Sequence, residues 1–195
     1  SSKAATEMAV ASWRSSYFHS ESGIRVATAR AGNVIGGGDW AEDRIIPDLV
    51  RSLSKAKPIG VRNPGAMRPW QHVLEPLSGY LQLAEKLAKS DDCVLQSAFN
   101  FGPEDSEVRS VGDLVEESLK HWPGSWQDKS DNYAQHEANL LNLSIDKARQ
   151  KLGWQPQWNF RKTVEETVTW YQNFRKASNN AAELCLKQIK DFQNR

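Results

Sequence analysis

The chain has 195 residues, 39% of them hydrophobic and 25% charged, with a formal net charge of +1. That size and balance suit one sizeable domain or a domain with a small lobe, and they exclude the basic surplus of a nucleic-acid binder and the excess of an acidic tail. No apolar run approaches the roughly 20 residues of a membrane helix and no signal peptide opens the chain, so the expected compartment is the cytoplasm.

Lys3–His19 places Ala5, Met8, Ala9, Ser12, Trp13 and Tyr17 at helical spacing and reads as an amphipathic helix, with Gly23 as its stop. Ile24–Arg30 alternates as a strand does, and a glycine-rich loop, Gly32–Asp43, follows. Arg44–Ala56 restarts a helix that tolerates Pro47 only in its first turn. Pro58–Arg62 reads as a short strand, Asn63–Met67 as a turn and Arg68–Val73 as an extended run. A helix over Leu74–Ser90 is entered through Pro76, and Ser97–Gly102 is a buried strand.

Ser110–Trp122 is another amphipathic helix, and Ser125–Leu143 ends in an extended run. Ser144 is the expected N-cap of a short helix that stops at Gly153. Asn159–Ala177 forms a long helix and Ala181–Gln193 a tail helix. Strands alternate with helices, which argues α/β. Cys93 and Cys185 stand far apart without metal-ligand spacing, so neither a structural disulfide nor a cysteine metal site is expected. Four scattered histidines and no acidic cluster exclude a catalytic metal on the same grounds. The eight tryptophans fill core, and some edge a ligand pocket.

The loop stretch "ARAGNVIGGGDW" raises the question of a phosphate cradle. A dinucleotide fingerprint needs G-x-G-x-x-G opening a helix, with an acid about 20 residues on at the end of the next strand. Here Gly32 and Gly36–Gly38 are followed by Asp39 and Trp40 and no such strand, so the cofactor-loop reading is rejected. Three successive glycines instead suit a backbone that turns sharply and approaches another group closely. Asn33, at the end of the preceding strand, either binds a phosphate or sugar hydroxyl or caps the turn through its own backbone.

Several long stretches carry a family resemblance. "SSKAATE" resembles the segment after the catalytic tyrosine of a Y-x-x-x-K motif, with Lys3 as its lysine. "RAGNVIGGGDWAEDRIIPD" and "RNPGAMRPWQHVLEPLSGYL" are similar to stretches typical of the CDP-glucose dehydratases, and "FNFGP", "KARQKLGWQPQW", "ETVTWY" and "LCLKQIKDF" add weaker matches. The chain thus resembles the C-terminal part of an extended short-chain dehydrogenase/reductase acting on nucleotide sugars.

The resemblance implies an α/β fold holding the remaining strands of a Rossmann-type sheet plus a small α/β substrate-binding lobe. It implies that residues 1–195 form a single C-terminal substrate-binding portion whose NAD-binding Rossmann part lies upstream. The first residue is Ser1 and not methionine, and the expected tyrosine falls two residues before it. In such enzymes bound NAD+ oxidises the sugar at C4, water leaves across C5–C6, and the hydride returns to C6. The implied function is the substrate-binding portion of an NAD-dependent nucleotide-sugar 4,6-dehydratase taking CDP-glucose to the 4-keto-6-deoxy sugar, with this piece alone inactive. A non-catalytic nucleotide-sugar module, and an epimerase or reductase of the same superfamily, are the alternatives.

By resemblance, Lys3 is the catalytic lysine, bonding the nicotinamide ribose and lowering the tyrosine pKa, against the alternative of a solvated lysine at a helix start. Arg68, in its extended run, matches the arginine that grips the pyrophosphate through its fork; the alternative is an arginine packed on Trp70. Arg44 falls near the base and phosphate, Ile46 and Pro47 would line one face of the cytosine, and Arg62 would stack on it. Asn100 resembles a phosphate or ribose ligand, and His136 a position near the nucleotide. Each has an alternative in turn or helix capping. His72 is as readily a buried histidine as a contact. The implied partners are a CDP-sugar and a second copy in a homodimer, paired through the helix carrying Met8, Trp13 and Tyr17, with no nucleic acid and no membrane. That apolar stripe also suits core.

Overall fold

The computed structural model describes residues 2–18, 22–130, 141–176 and 180–194, and the chain divides into two compact units. The first comprises Ser1–Ala31, Pro76–Phe101 and Leu143–Gln155. Helix α1 (Ser2–Tyr17) leads to strand β1 (Thr28–Ala31). β1 is shorter than its alternating sequence predicts and begins four residues later, because a strand exists only where its partner runs. That partner is β6 (Ala98–Phe101), parallel and in register from Thr28 opposite Ala98 to Ala31 opposite Phe101.

Helix α3 (Leu74–Lys89) carries Leu83, which is buried with Leu95, Phe99, Phe101, Ala148, Leu152 and Trp154 in one apolar core. Phe101 makes edge contacts to Tyr80 and Trp154, and a methyl group on Gly79 would sit 2.2 Å from its ring. Helix α5 (Asp146–Leu152) stops at Gly153 with φ +73, as the sequence predicts. Its N-cap is Ile145 rather than Ser144, whose hydroxyl donates to the Asp146 carboxylate instead. Helix α1 buries none of its residues within this unit, so Met8, Trp13 and Tyr17 are exposed and are not core. Glu7 ties α1 to β1 by accepting the Thr28 hydroxyl at 2.8 Å.

The second unit comprises Gly32–Glu75, Gly102–Asn142 and Pro156–Arg195. Its strands are β2 (Asn33–Ile35), β3 (Ile59–Val61), β4 (Met67–Arg68), β5 (Trp70–His72), β7 (Arg109–Ser110) and β8 (Trp126–Asp128). They form parallel β2–β5 and β3–β8 pairs and an antiparallel β4–β7 pair. Strands β2 and β8 fall in stretches whose sequence reads as loop and irregular chain. Each is three residues long, too short for alternation to declare it.

Helices α2 (Ile45–Ser54), α4 (Val111–His121), α6 (Phe160–Lys176) and α7 (Ala181–Gln193) complete the unit. Ser110 and Asp113 form a reciprocal capping box at the start of α4. One core joins Leu49, Val50, Ile59, Val61, Leu114, Val115, Val164, Val168 and Tyr171. Cys93 and Cys185 are free and exposed. Among the described residues no helix is long and apolar enough to cross a membrane, and no cluster of potential metal ligands forms.

Candidate functional site

The glycine loop of the second unit is used for packing. A Cβ on Gly37 would lie 2.0 Å from the Trp170 ring, and Gly38 adopts φ +86, the left-handed region that favours glycine. The buried Tyr171 then clamps the loop: its hydroxyl accepts the Asp39 N–H at 3.0 Å and donates to the Asp39 carbonyl at 2.7 Å. Burial pushes the Tyr171 phenol up to about 12, so it stays a donor at every ordinary pH. Arg51 of α2 holds the far side, donating to the carbonyls of Trp40 and Ala41 at 3.0 and 3.1 Å.

This pinned loop presents two carboxylates to two of the arginines singled out above. Arg44 bonds Asp39 at 3.1 Å, and Arg62 bonds Asp43 at 2.9 Å. Asp43 takes φ +60, a conformation that aspartate tolerates better than most side chains. Ile46, by contrast, is 3% exposed and Pro47 is buried, both on the core face of α2.

Asn33 opens β2 rather than ending the strand before it, and pairs in register with Trp70. Its amide makes no hydrogen bond to the described residues, so turn capping finds no support. Arg68 lies two residues before Trp70, directly opposite Arg109 across the antiparallel β4–β7 pair. The Arg68 Nη1 donates to the Met67 carbonyl at 2.8 Å, while Arg109 donates to the carbonyls of Ser106 and Val108. Arg109 also lies 3.9 Å from the Glu107 carboxylate.

Where β5 runs into α3, His72 and Glu75 are both buried. Burial holds His72 down at about 4, opposed by the charge of Glu166, and its ring packs on Trp158 at 4.7 Å. Burial pushes Glu75 up to about 7, although the N–H groups of Trp158 and Gln157 donate to its carboxylate at 2.7 and 3.1 Å. His72 is therefore a core histidine.

In the first unit, Lys3 is exposed on the first turn of α1. Asn100 lies on β6, donates to the Ser144 carbonyl at 3.2 Å, and leaves its buried Oδ1 without a hydrogen-bond partner among the described residues. His136 lies outside the described residues. Sequence reasoning missed Asp39, Asp43, Tyr171 and Arg109. The acids of "GDWAED" were visible beside Arg44, but which arginine each one meets depends on the loop's path.

No family model matches the chain. It is 40% identical over 177 residues to the CDP-glucose 4,6-dehydratase of Salmonella typhimurium, a match covering 88% of this chain and 49% of that protein, its C-terminal half. The chain thus spans about half the length of the relative it matches. Among solved structures, dTDP-glucose 4,6-dehydratase from Streptomyces venezuelae with NAD and TYD bound superposes with a TM-score of 0.70 at 19% identity, over 90% of this chain and 51% of that one. UDP-glucuronic acid 4-epimerase from Bacillus cereus, in complex with UDP-glucuronic acid and NAD, gives 0.70 at 15% identity over 85% and 49%. The fold is the Rossmann-like α/β fold of the extended short-chain dehydrogenase/reductases, of which this chain covers about half.

Proposed function

We propose that this chain, related in sequence to the C-terminal half of a CDP-glucose 4,6-dehydratase, is the substrate-binding portion of an NAD-dependent nucleotide-sugar 4,6-dehydratase that takes a CDP-sugar. The observation that carries the reading is the 40% identity across 88% of the chain.

In this reading the second unit is the substrate lobe. Arg68 grips the diphosphate through its fork, Asn33 bonds a phosphate or sugar oxygen, and Arg44 and Arg62 attend the base. Within the first unit, Asn100 has an unsatisfied Oδ1 that can accept from a hydroxyl. The first unit supplies the last strands of the Rossmann-type sheet: two parallel strands are marginal alone and need further strands beside them. Lys3, which the sequence resemblance assigns to the cofactor, is exposed on the first turn of α1. Held near a phenol, its ammonium stabilises the phenolate and so makes a usable base near neutral pH. The cofactor supplies hydride acceptance at sugar C4 and its return to C6. The exposed Met8, Trp13 and Tyr17 face suits pairing with a second copy, and the working compartment is the cytoplasm.

The test uses the intact protein carrying this chain, incubated with NAD+ and CDP-glucose and read by mass spectrometry. Loss of one water from the sugar is expected. Inversion at C4 without water loss would instead support an epimerase, a reading favoured by the equal superposition on the 4-epimerase. Binding without turnover would favour a non-catalytic module.

A further inference from the structure

We propose that Trp70, together with Pro69, is a positioning residue for Arg68: it ties the strand that carries the arginine to the strand that carries Asn33, and so sets where the guanidinium meets a diphosphate. The inference rests on the nucleotide-sugar reading above and adds the residues that aim its phosphate arginine. The Arg68 Nη1 donates to the Met67 carbonyl at 2.8 Å, so the head of the side chain is bonded to its own strand and moves with it. What fixes the path of β4 therefore fixes the guanidinium.

β4 is two residues long, and its antiparallel pair with β7 holds Met67 opposite Ser110 and Arg68 opposite Arg109. A pairing that short is marginal alone. On the side before Arg68 it is braced by backbone bonds from the start of α4: the Val111 N–H donates to the Ala66 carbonyl at 3.0 Å and the Gly112 N–H to the Pro64 carbonyl at 2.8 Å. On the side after Arg68 the brace is a side chain. Trp70, 5% exposed, donates its indole N–H at 3.1 Å to the carbonyl of Arg109, the residue opposite Arg68. The same Trp70 pairs in register with Asn33 across the parallel β2–β5 pair.

Pro69 makes the junction stiff. It stands between β4 and β5, and its ring restricts φ to about −65°. It is buried, and a Cβ on Gly32, the residue before Asn33, would lie 2.9 Å from both its ring and its carbonyl. Packing alone does not demand the Trp70 bond. The similarly buried Trp158 and Trp170 leave their indole N–H groups without hydrogen-bond partners among the described residues. At Trp70 the bond is made, and it is made beside the arginine assigned to the ligand.

The test titrates CDP calorimetrically into the intact protein as parent, Trp70→Phe, Arg68→Ala and the double variant. Trp70→Phe keeps an aromatic ring in the core and removes the N–H. It should weaken CDP binding by on the order of tenfold, the scale of one hydrogen bond. Once Arg68 is alanine it should weaken binding no further, because the two residues act on one contact. A part played only in packing predicts the same loss in both backgrounds. Thermal unfolding of each variant monitors the fold, and if Trp70→Phe fails to fold, Pro69→Ala, which frees the junction, goes through the same cycle with the same expectations. Unchanged CDP affinity in the single variant, or an equal loss with and without Arg68, overturns the positioning role and leaves the nucleotide-sugar reading standing. An Arg68→Ala protein that binds CDP as the parent does removes Arg68 from the site and the positioning role with it. A parent that does not bind CDP overturns the nucleotide-sugar reading as well.

Discussion

The Tyr171 hydroxyl bonds both the N–H and the carbonyl of Asp39, at 3.0 and 2.7 Å, so a helix near the end of the chain fixes the peptide that opens the arginine-bearing loop. Tyr171→Phe removes both bonds without changing the packed ring. Leaving two backbone groups without this partner should cost about 1–3 kcal/mol in urea unfolding. Amide hydrogen exchange at Asp39 should accelerate more than exchange in the α6 core. Equal protection in parent and variant would mean that Arg51 alone holds the loop.

Gly37 makes the same connection from the other side. A methyl group there would lie 2.0 Å from the Trp170 ring, far inside any tolerable approach. Gly37→Ala should therefore destabilise the chain by about 1–3 kcal/mol or more through overpacking, and Trp170 fluorescence should shift as its ring is displaced. Gly65→Ala, where an added Cβ meets nothing within 4 Å, is the matching control and should unfold close to the parent.

These contacts mark where sequence reading succeeds and where it stops. The long helices were legible because amphipathic periodicity is a local signal: Ala181–Gln193 is found as read, and Arg44–Ala56 as the slightly shorter α2. The triple glycine was legible as a demand for close approach, but its partner Trp170 was not, because nothing local in either stretch names the other. The same holds for Arg62 and Asp43, whose meeting depends on a left-handed residue that a sequence of many allowed conformations does not specify. Ser144 shows the opposite failure, a good local cap overruled when its hydroxyl found the Asp146 carboxylate.

Arg68 faces Arg109 across β4 and β7, and the proposed diphosphate site rests most on Arg68. Arg68→Ala should weaken CDP binding to the intact protein by about 2–3 kcal/mol, the loss of a charged two-bond grip on phosphate. Arg68→Lys keeps the charge but not the fork, and should recover only part of that loss. Calorimetric titration reads both. An unchanged dissociation constant in Arg68→Ala would remove this residue from the site.

The buried pair at the β5–α3 junction should give the chain opposing responses to pH. Glu75 is pushed up to about 7 from 4.5 by burial, so the folded state holds its proton more tightly than the unfolded chain does. Its contribution is most favourable below about 4.5 and is lost as pH rises toward 7. His72 is held at about 4 from 6.5, again by burial, with Glu166 opposing and Lys162 bonded to Glu166 beside it. Its contribution is complete above about 6.5 and is lost as pH falls toward 4. Each span corresponds to about 3 kcal/mol, and between pH 4.5 and 6.5 the two slopes oppose each other. Urea midpoints measured across pH for single variants separate them, each read as a difference from the parent. Relative to the parent, Glu75→Gln should gain stability as pH rises from 4.5 to 7, and His72→Gln should lose it as pH rises from 4 to 6.5. Variant profiles parallel to the parent would show that neither group titrates in these ranges within the folded chain.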